Sequence, residues 1–449
     1  MTGNGTKHNT INMIKQSNLQ RHLQVLAKDI GVRLAGSDRE QQAADYVAQE
    51  FQRAGADVAV EQFAVRERSV KRELLEINID GCWQTFPSSL FSNTPGTEGQ
   101  TVEAPVVFFE SPAESQRTDL SHLTGKAVVH LGCHIESRDA YSRLVEAKPA
   151  FLLMVDVRYP GSVPLADGMF PTYTTALGAV PTVNVAYMDA WRWKVAGATS
   201  ARLMIEGGMQ QSVSQNVIAE LPGEQTDQVP DAKHDLVFLG AHHDTQADSP
   251  GADDNATAVS GILECARTLA RQPRKRTIRL ISFGAEEQLS VGSAAYVRSH
   301  RKSLQQHGRF MFNLDSFGSP LGWNDLICNG PDTLAQQVRN CFEPREIYFR
   351  FLNQVIPYAD HFPFAVAGVP AVTLIRSNCT SGRFFHHRPD DDLDKVSTST
   401  MATLLNGVIH FIDHLTTTSQ FPFPPTIPTA LQNDIDMYWN DLFGGWENS

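Results

Sequence analysis

From residue 235 onward the chain alternates short apolar runs with amphipathic stretches. "DLVFLGAH", "RTIRLISFGAEE", "RFMFNLDSFG" and "VPAVTLIRS" each have the length and texture of one buried strand. Between the first two, "NATAVSGILECARTLA" places Val259, Ile262, Leu263, Ala266 and Leu269 on one helical face. Unbroken apolar strands spaced by such helices predict an α/β fold, with a mainly parallel central sheet and helices on both faces. Upstream, residues 18–56 read as helical. "NLQRHLQVLAKDI" carries Leu19, Leu23, Leu26 and Ile30 on one face, Ser37 and Glu40 form the pattern of a capping box, and Gly55 is a stop. "DVAVEQFAV" then alternates like a strand. Residues 66–213 differ in texture: "APVVFF", "KAVVHL", "AFLLMVDV" and "VPTVNVAY" are separated by Gly, Pro and Ser turns, as in an inserted β-rich unit. The main pattern resumes over 214–415. Residues 416–449 start as a Pro-rich linker and continue into a short amphipathic helix. Its Trp439, Leu442, Phe443 and Trp446 predict docking on the core or on a second copy of the chain, a homo-oligomer.

Composition narrows the class. A chain of 449 residues is too long for one ordinary core, and 41% hydrophobic with 20% charged residues is globular. A net charge of −12 with no basic cluster excludes a nucleic-acid partner. No apolar run is long enough to span a membrane. The segment "MTGNGTKHNTINMIKQ" has neither the apolar region nor the cleavage site of a secretory signal, so a cytoplasmic location is expected. Cys82, Cys133, Cys265, Cys328, Cys341 and Cys379 are scattered without a CxxC and read as reduced thiols.

Some of the acidic excess sits where strands end, and in open α/β sheets that is where sites form. "GAHHDTQADSPGADDN", residues 240–255, crowds histidines and aspartates together. A hydrolytic zinc site needs neutral imidazoles, carboxylates and an open position for water. Two ions need a bridging ligand, and a general base must stand beside the water without being a tight ligand. His242 and Asp244 form an H-x-D, in which Asp244 can orient the ring of His242. Asp254 is placed to bridge. In the Glu286–Glu287 pair one carboxylate can ligate while the other handles protons. Asp315 closes its strand, and "FHHRPDDD" offers a late histidine with Asp391 four residues beyond His387. Singly, each feature has a bland reading: adjacent glutamates usually mark a solvated surface, and a strand-end aspartate usually forms a turn. Together, at the ends of apolar strands, they point to metal chemistry. His130, Cys133, His134 and Glu136 are read instead as a strand end and a turn.

The blocks "GAHHDT", "PGADDNATAVSGILECAR", "ISFGAEEQLSVGSAAYV", "NLDSFG", "DHFPFAVAGVPAVTL" and "HRPDDDLDKV" resemble the co-catalytic di-zinc aminopeptidase family, which also contains glutamate carboxypeptidase-type enzymes and glutaminyl cyclases. The resemblance covers residues 18–65 and 214–415, and implies a peptidase domain formed by 1–65 with 214–415. It implies two zinc ions, with cobalt or manganese as alternatives, held by His242, Asp254, Glu287, Asp315 and His387. Asp254 would bridge, Glu286 would be the general base and Asp244 would stand behind His242. Relatives often have a cis peptide after the bridging aspartate, here Asp254–Asn255. The 66–213 segment falls where many insert a protease-associated domain that restricts access. Asp360 and His361 fall in a segment that lines the substrate pocket in relatives. At one position the chain departs: a tyrosine that helps stabilise the oxyanion is replaced by His386. Two readings of His386 stand, a donor in its place or a ring that fills the space, and His386 is also the alternative ligand to His387, which the His-x-Pro-x-Asp spacing favours. The implied activity is exopeptidase cleavage of peptide substrates, foremost from the N-terminus. A carboxypeptidase, using Arg376, Arg383 or Arg388 for the substrate carboxylate, and a non-catalytic receptor or scaffold relative are the alternatives.

Overall fold

The computed structural model describes residues 14–132, 137–159, 161–225, 230–377 and 384–447. Its strands are, in chain order, β1 (Asp57–Ile79), β2 (Cys82–Phe86), β3 (Ser88–Leu90), β4 (Val102–Glu110), β5 (Ala127–Gly132), β6 (Phe151–Asp156) and β7 (Thr182–Val185). They continue with β8 (Ser200–Leu221), β9 (Leu236–His242), β10 (Thr277–Phe283), β11 (Gly308–Leu314), β12 (Trp323–Asn329), β13 (Phe349–Leu352) and β14 (Ala371–Ser377). The main sheet runs β13-β12-β14-β11-β9-β10-β8, and hydrogen bonding continues through β4-β5-β6-β7-β3. β9, β10, β11 and β14 are mutually parallel where they pair, while β8 joins β10 antiparallel and β12 joins β14 antiparallel. Every residue of β9 is buried, so the run "LVFLGAH" does not alternate: both of its faces are covered.

The helix Thr257–Leu269 corrects the single-face expectation. It is buried at nearly every position, because it lies against the sheet and is flanked by the helices Gln16–Leu23, Asp38–Ala54 and Thr398–Thr417. A helix enclosed on all sides needs no polar face. One core contains Phe51, Ile262, Phe310, Phe342 and Phe411. Another contains Phe238, Phe283, Tyr296 and Phe364, and it also takes in Phe109, Tyr141, Phe170 and Tyr173 from the 66–213 segment. A third, around Leu75, Val129, Phe151 and Trp193, draws only on that segment.

Residues 66–213 are more than β-rich. β4, β5, β6 and β7 are parallel neighbours, accompanied by helices Arg138–Glu146, Pro171–Leu177 and Tyr187–Ala196. "KAVVHL" and "AFLLMVDV" are buried parallel strands whose short apolar runs do not reveal strand direction. His130 sits on β5, buried and tilted against Phe109. Cys133, His134 and Glu136 lie outside the described residues, as do Cys379 and Arg383. Cys82, Cys265, Cys328 and Cys341 are free thiols.

Two very long strands join the parts. β1 and β8, of 23 and 22 residues, pair antiparallel from Asp57–Glu220 to Asn78–Ser200. One register shift interrupts them, between Val70 and Arg72. Opposite it Gly207 has φ 123°, and a Cβ there would meet the Ser69 carbonyl oxygen at 2.2 Å. The tail docks on its own chain. Trp439 of helix Thr429–Leu442 is 1% exposed. Arg298 lies 4.5 Å from its ring centroid, and Arg301 lies 3.9 Å from that of Trp446.

Candidate metal centre

Parallel pairing places the carboxyl ends of β9, β10 and β11 on one edge, and the candidate residues follow from those ends. His242 is the last residue of β9. Asp254 precedes the helix Thr257–Leu269, with a cis peptide to Asn255. Glu286 and Glu287 form a short turn after β10, Asp315 follows β11, and His386 and His387 come after β14.

These side chains converge. His242 Nε2 lies 3.2 Å from Asp254 Oδ1 and 3.6 Å from Asp315 Oδ1. The other oxygen of Asp254 faces the far side: Oδ2 is 3.5 Å from His387 Nε2 and 3.3 Å from His386 Nδ1. His387 Nε2 also meets Glu287 Oε2 at 2.9 Å. Asp254 therefore stands between two donor groups, one with His242 and Asp315, the other with Glu287 and His387. Glu286 Oε2 stands farther off, 3.8 Å from His242 Nε2, and Glu286 Oε1 accepts from Ser290 Oγ at 3.1 Å.

Charge is dense here. Burial lowers the His242 imidazole, but Glu286, Asp244, Asp254 and Asp315 reverse that and hold it well above its ordinary value. Burial raises the Asp254 carboxyl, and His242, His386 and His387 more than reverse it, leaving it well below the usual range. Glu286 is driven well up by burial, opposed by His242 and reinforced by Asp360, Asp315 and Glu287. Burial likewise lifts Glu287 to about 7.

The supports differ in part from the sequence expectation. Asp244 does stand behind His242, its Oδ1 at 3.5 Å from Nδ1. Its carboxylate also accepts from the Glu286 and Glu287 backbone N–H groups at 3.0 and 3.1 Å, so one side chain fixes two strand ends. Asp391 does not pair with His387. Its oxygens accept from the N–H groups of Asp253 and Asp254 at 3.0 and 3.1 Å, which holds the loop that carries Asp254. The capping box is half formed: Ser37 Oγ accepts from Glu40 N, but the Glu40 carboxylate accepts from Gly36 N, Ser214 Oγ and Ala285 N instead of closing back on Ser37. Burial pushes that carboxyl up to about 8. His243 turns away from the cluster, its Nδ1 2.9 Å from Ser282 Oγ. Asp253 accepts from Gly318 N, and Asp248 is an exposed loop residue. Asp360 and His361 are fully buried, and neither lines the cavity over the site.

Arg33 had no assigned task in the sequence. It is fully buried, and its guanidinium donates to the carbonyl oxygens of Leu26, Gly31, His243, Pro250 and Gly251. Burial lowers its pKa to about 10, opposed by the charges of Asp244, Asp391, Asp254 and Glu287. A buried cation held this way ties both ends of the 243–251 loop together. Arg33→Met leaves those carbonyls without donors and is expected to cost on the order of 3 kcal/mol in denaturant unfolding. Arg33→Lys should recover little, since an ammonium cannot reproduce the planar fork. A Met variant as stable as the parent would remove this role.

The cavity over the cluster measures about 330 Å3. Asp254, Glu286, Glu287, Asp315, His386 and His387 form its floor, and Arg158, Tyr159, Asp167 and Phe170 of the 66–213 segment form its roof. Tyr159 stacks on His386 with centroids 4.7 Å apart, and His386 stacks on His387 at 3.5 Å. No local pattern in the sequence marks these roof residues. They become part of the site only because the segment folds over it.

An α/β sheet whose strand ends gather buried carboxylates and imidazoles into two adjoining donor groups defines a metal-binding hydrolase architecture. The model of peptidase family M28 matches residues 216–412 of the chain. The aminopeptidase YwaD of Bacillus subtilis (strain 168) is 26% identical over 382 residues, covering 83% of this chain and 78% of its own. Carboxypeptidase Q of Rattus norvegicus is 23% identical over 395 residues, covering 84% of this chain and 81% of its own. The solved structure of a zinc aminopeptidase from Bacillus subtilis matches with TM-score 0.74 at 20% identity, covering 91% of this chain and 98% of that one. Among the described residues, no helix is long and apolar enough to cross a membrane.

Proposed function

We propose that the chain is a zinc-dependent exopeptidase that removes residues from the N-terminus of peptides, working with two ions. The observation that carries this is the position of Asp254, with one oxygen toward His242 and the other toward His387. The donor set fits the ions: imidazole nitrogens and carboxylate oxygens are zinc ligands, and Glu287 Oε1 is buried without a hydrogen-bond partner among the described residues. His242 and Asp315 would complete one site, and Glu287 and His387 the other. When bound, zinc supplies Lewis-acid polarisation of the scissile carbonyl and a water acidified to a pKa of about 7.

The protein's own groups do the rest. Glu286, which faces the cavity, takes the proton of the attacking water and returns it to the leaving amine. Ser290 holds one of its oxygens so that the other stays aimed at the cavity. Asp244 keeps His242 and the glutamate turn in register. His386, which stacks on Tyr159 and lines the cavity, would donate to the developing oxyanion. The carboxylates around the cavity, Asp167 among them, favour a substrate that presents a free ammonium group there.

The carboxypeptidase reading rests on Arg376, which lines the cavity. That guanidinium is engaged with Ser319 O and Asn324 Oδ1, and Arg388 is tied to the carbonyls of Phe384 and Tyr159. The deciding assay compares an aminoacyl-anilide with an N-blocked dipeptide that has a free carboxylate. Hydrolysis of the anilide, abolished by chelation and restored by zinc, is expected. Cleavage of the blocked dipeptide alone would reverse the assignment.

A further inference from the structure

A second, larger cavity of about 1110 Å3 adjoins the first, and Asn93 and Gln288 line both. Gln288 directly follows Glu287, so the second cavity begins one residue from the metal cluster. Its Nε2 is fixed by donation to the Arg66 carbonyl oxygen at 2.5 Å. The far walls come from three parts of the chain: Val65 and Arg66 of β1, the helix Pro171–Leu177 with Thr175, and the tail helix with Asn440. Thr172 Oγ1 donates to the Leu442 carbonyl oxygen and Tyr173 OH to Asp441 Oδ2, both at 2.7 Å, so the tail is bonded to the segment it closes against.

The sizes of the two spaces set the reasoning. A cavity of about 330 Å3 over the cluster accommodates a terminal residue and the bond being cut, and a longer substrate must leave it. The shared wall is the route out. Amide and hydroxyl side chains, from Asn93, Gln288, Gln211 and Thr175, suit a peptide backbone because they offer both donors and acceptors. Two arginines, Arg66 and Arg138, also line the second cavity, and the Arg138 guanidinium lies 5.5 Å from the Tyr173 ring centroid. Both residues are exposed, and neither forms an ion pair among the described residues. The acids nearby are otherwise placed: Asp441 accepts from Tyr173, and Glu447 belongs to the exposed end of the tail.

We propose that this second cavity binds the part of a peptide that follows the scissile bond, with Arg66 and Arg138 receiving the terminal carboxylate of a short oligopeptide. The preferred substrates are then peptides of a few residues with a free C-terminus, and the inference rests on the aminopeptidase reading. The test measures kcat/KM for three substrates with the same N-terminal residue: an anilide, a pentapeptide acid and the same pentapeptide as its C-terminal amide. In the parent enzyme the acid should exceed the amide by about tenfold at low salt, the scale of one charge-assisted contact, and by less at high salt. The double variant Arg66→Gln/Arg138→Gln should bring that ratio close to one. Thr175→Trp, which adds bulk to the cavity wall, should lower the pentapeptide-to-anilide ratio. Equal rates for acid and amide in the parent, or a preference that survives the double variant, would overturn the proposal. If the anilide itself is not hydrolysed, the aminopeptidase reading falls and this one with it. That result differs from an active enzyme indifferent to the carboxylate.

Discussion

Glu286→Gln is expected to keep its fold and its metal while losing about a thousandfold in kcat, the scale of a general base. Glutamine has the same shape, and its amide oxygen can still accept from Ser290 Oγ. What it lacks is a site for the proton. The two donor groups about Asp254 do not require Glu286, which is farther from His242 than Asp254 or Asp315 is. Metal content and melting temperature should therefore stay at parent values while turnover collapses. Retained turnover at full metal occupancy would remove Glu286 from the chemistry. Loss of zinc together with activity would make it a ligand instead.

Asp254→Asn should act at the level of the metal. An amide presents one acceptor oxygen where the carboxylate presents two, so the two donor groups can no longer share a residue. The substitution also removes the negative charge faced by His242, His386 and His387. Zinc per chain after gel filtration is expected to fall to about half of the parent's or less, and activity to background, at least about a hundredfold below the parent. Millimolar zinc should restore only part of it. Two ions per chain with activity near the parent's would show that Asp254 does not bridge.

The strand ends explain why so much of the cluster could be read in sequence. His242, Asp254, Glu286, Glu287 and Asp315 each follow an apolar run or open a helix, so local patterning locates them. The supports could not be located that way. Asp391 looks like a partner of His387 because it is four residues away, yet it folds back onto the N–H groups of Asp253 and Asp254. Glu40 looks like part of a helix cap, yet it is drawn into the interior by Ser214 and Ala285. Arg33 answers carbonyls more than two hundred residues away, at His243, Pro250 and Gly251. The roof residues Tyr159 and Asp167 lie in a stretch without ligand patterning. The same limit applies to the fold: apolar runs gave strands β9, β10, β11 and β14, while β12 and β13, with polar positions at Asn324, Asp325 and Arg350, carry no comparable signal.

The ribbon of β1 and β8 has a mechanical consequence. It leaves the main sheet and carries on into the second one, and the roof over the donor cluster is also held on its far side, by the shared core and by the tail's bonds to Thr172 and Tyr173. The ribbon's stiffness is that of a twisted, hydrogen-bonded pair of strands, interrupted by a bulge at Val70–Arg72 opposite Gly207. A roof supported on both sides can open only if the ribbon bends and the tail contacts yield together. Stiffening the bulge should narrow the range of substrate sizes admitted while leaving the chemistry below untouched.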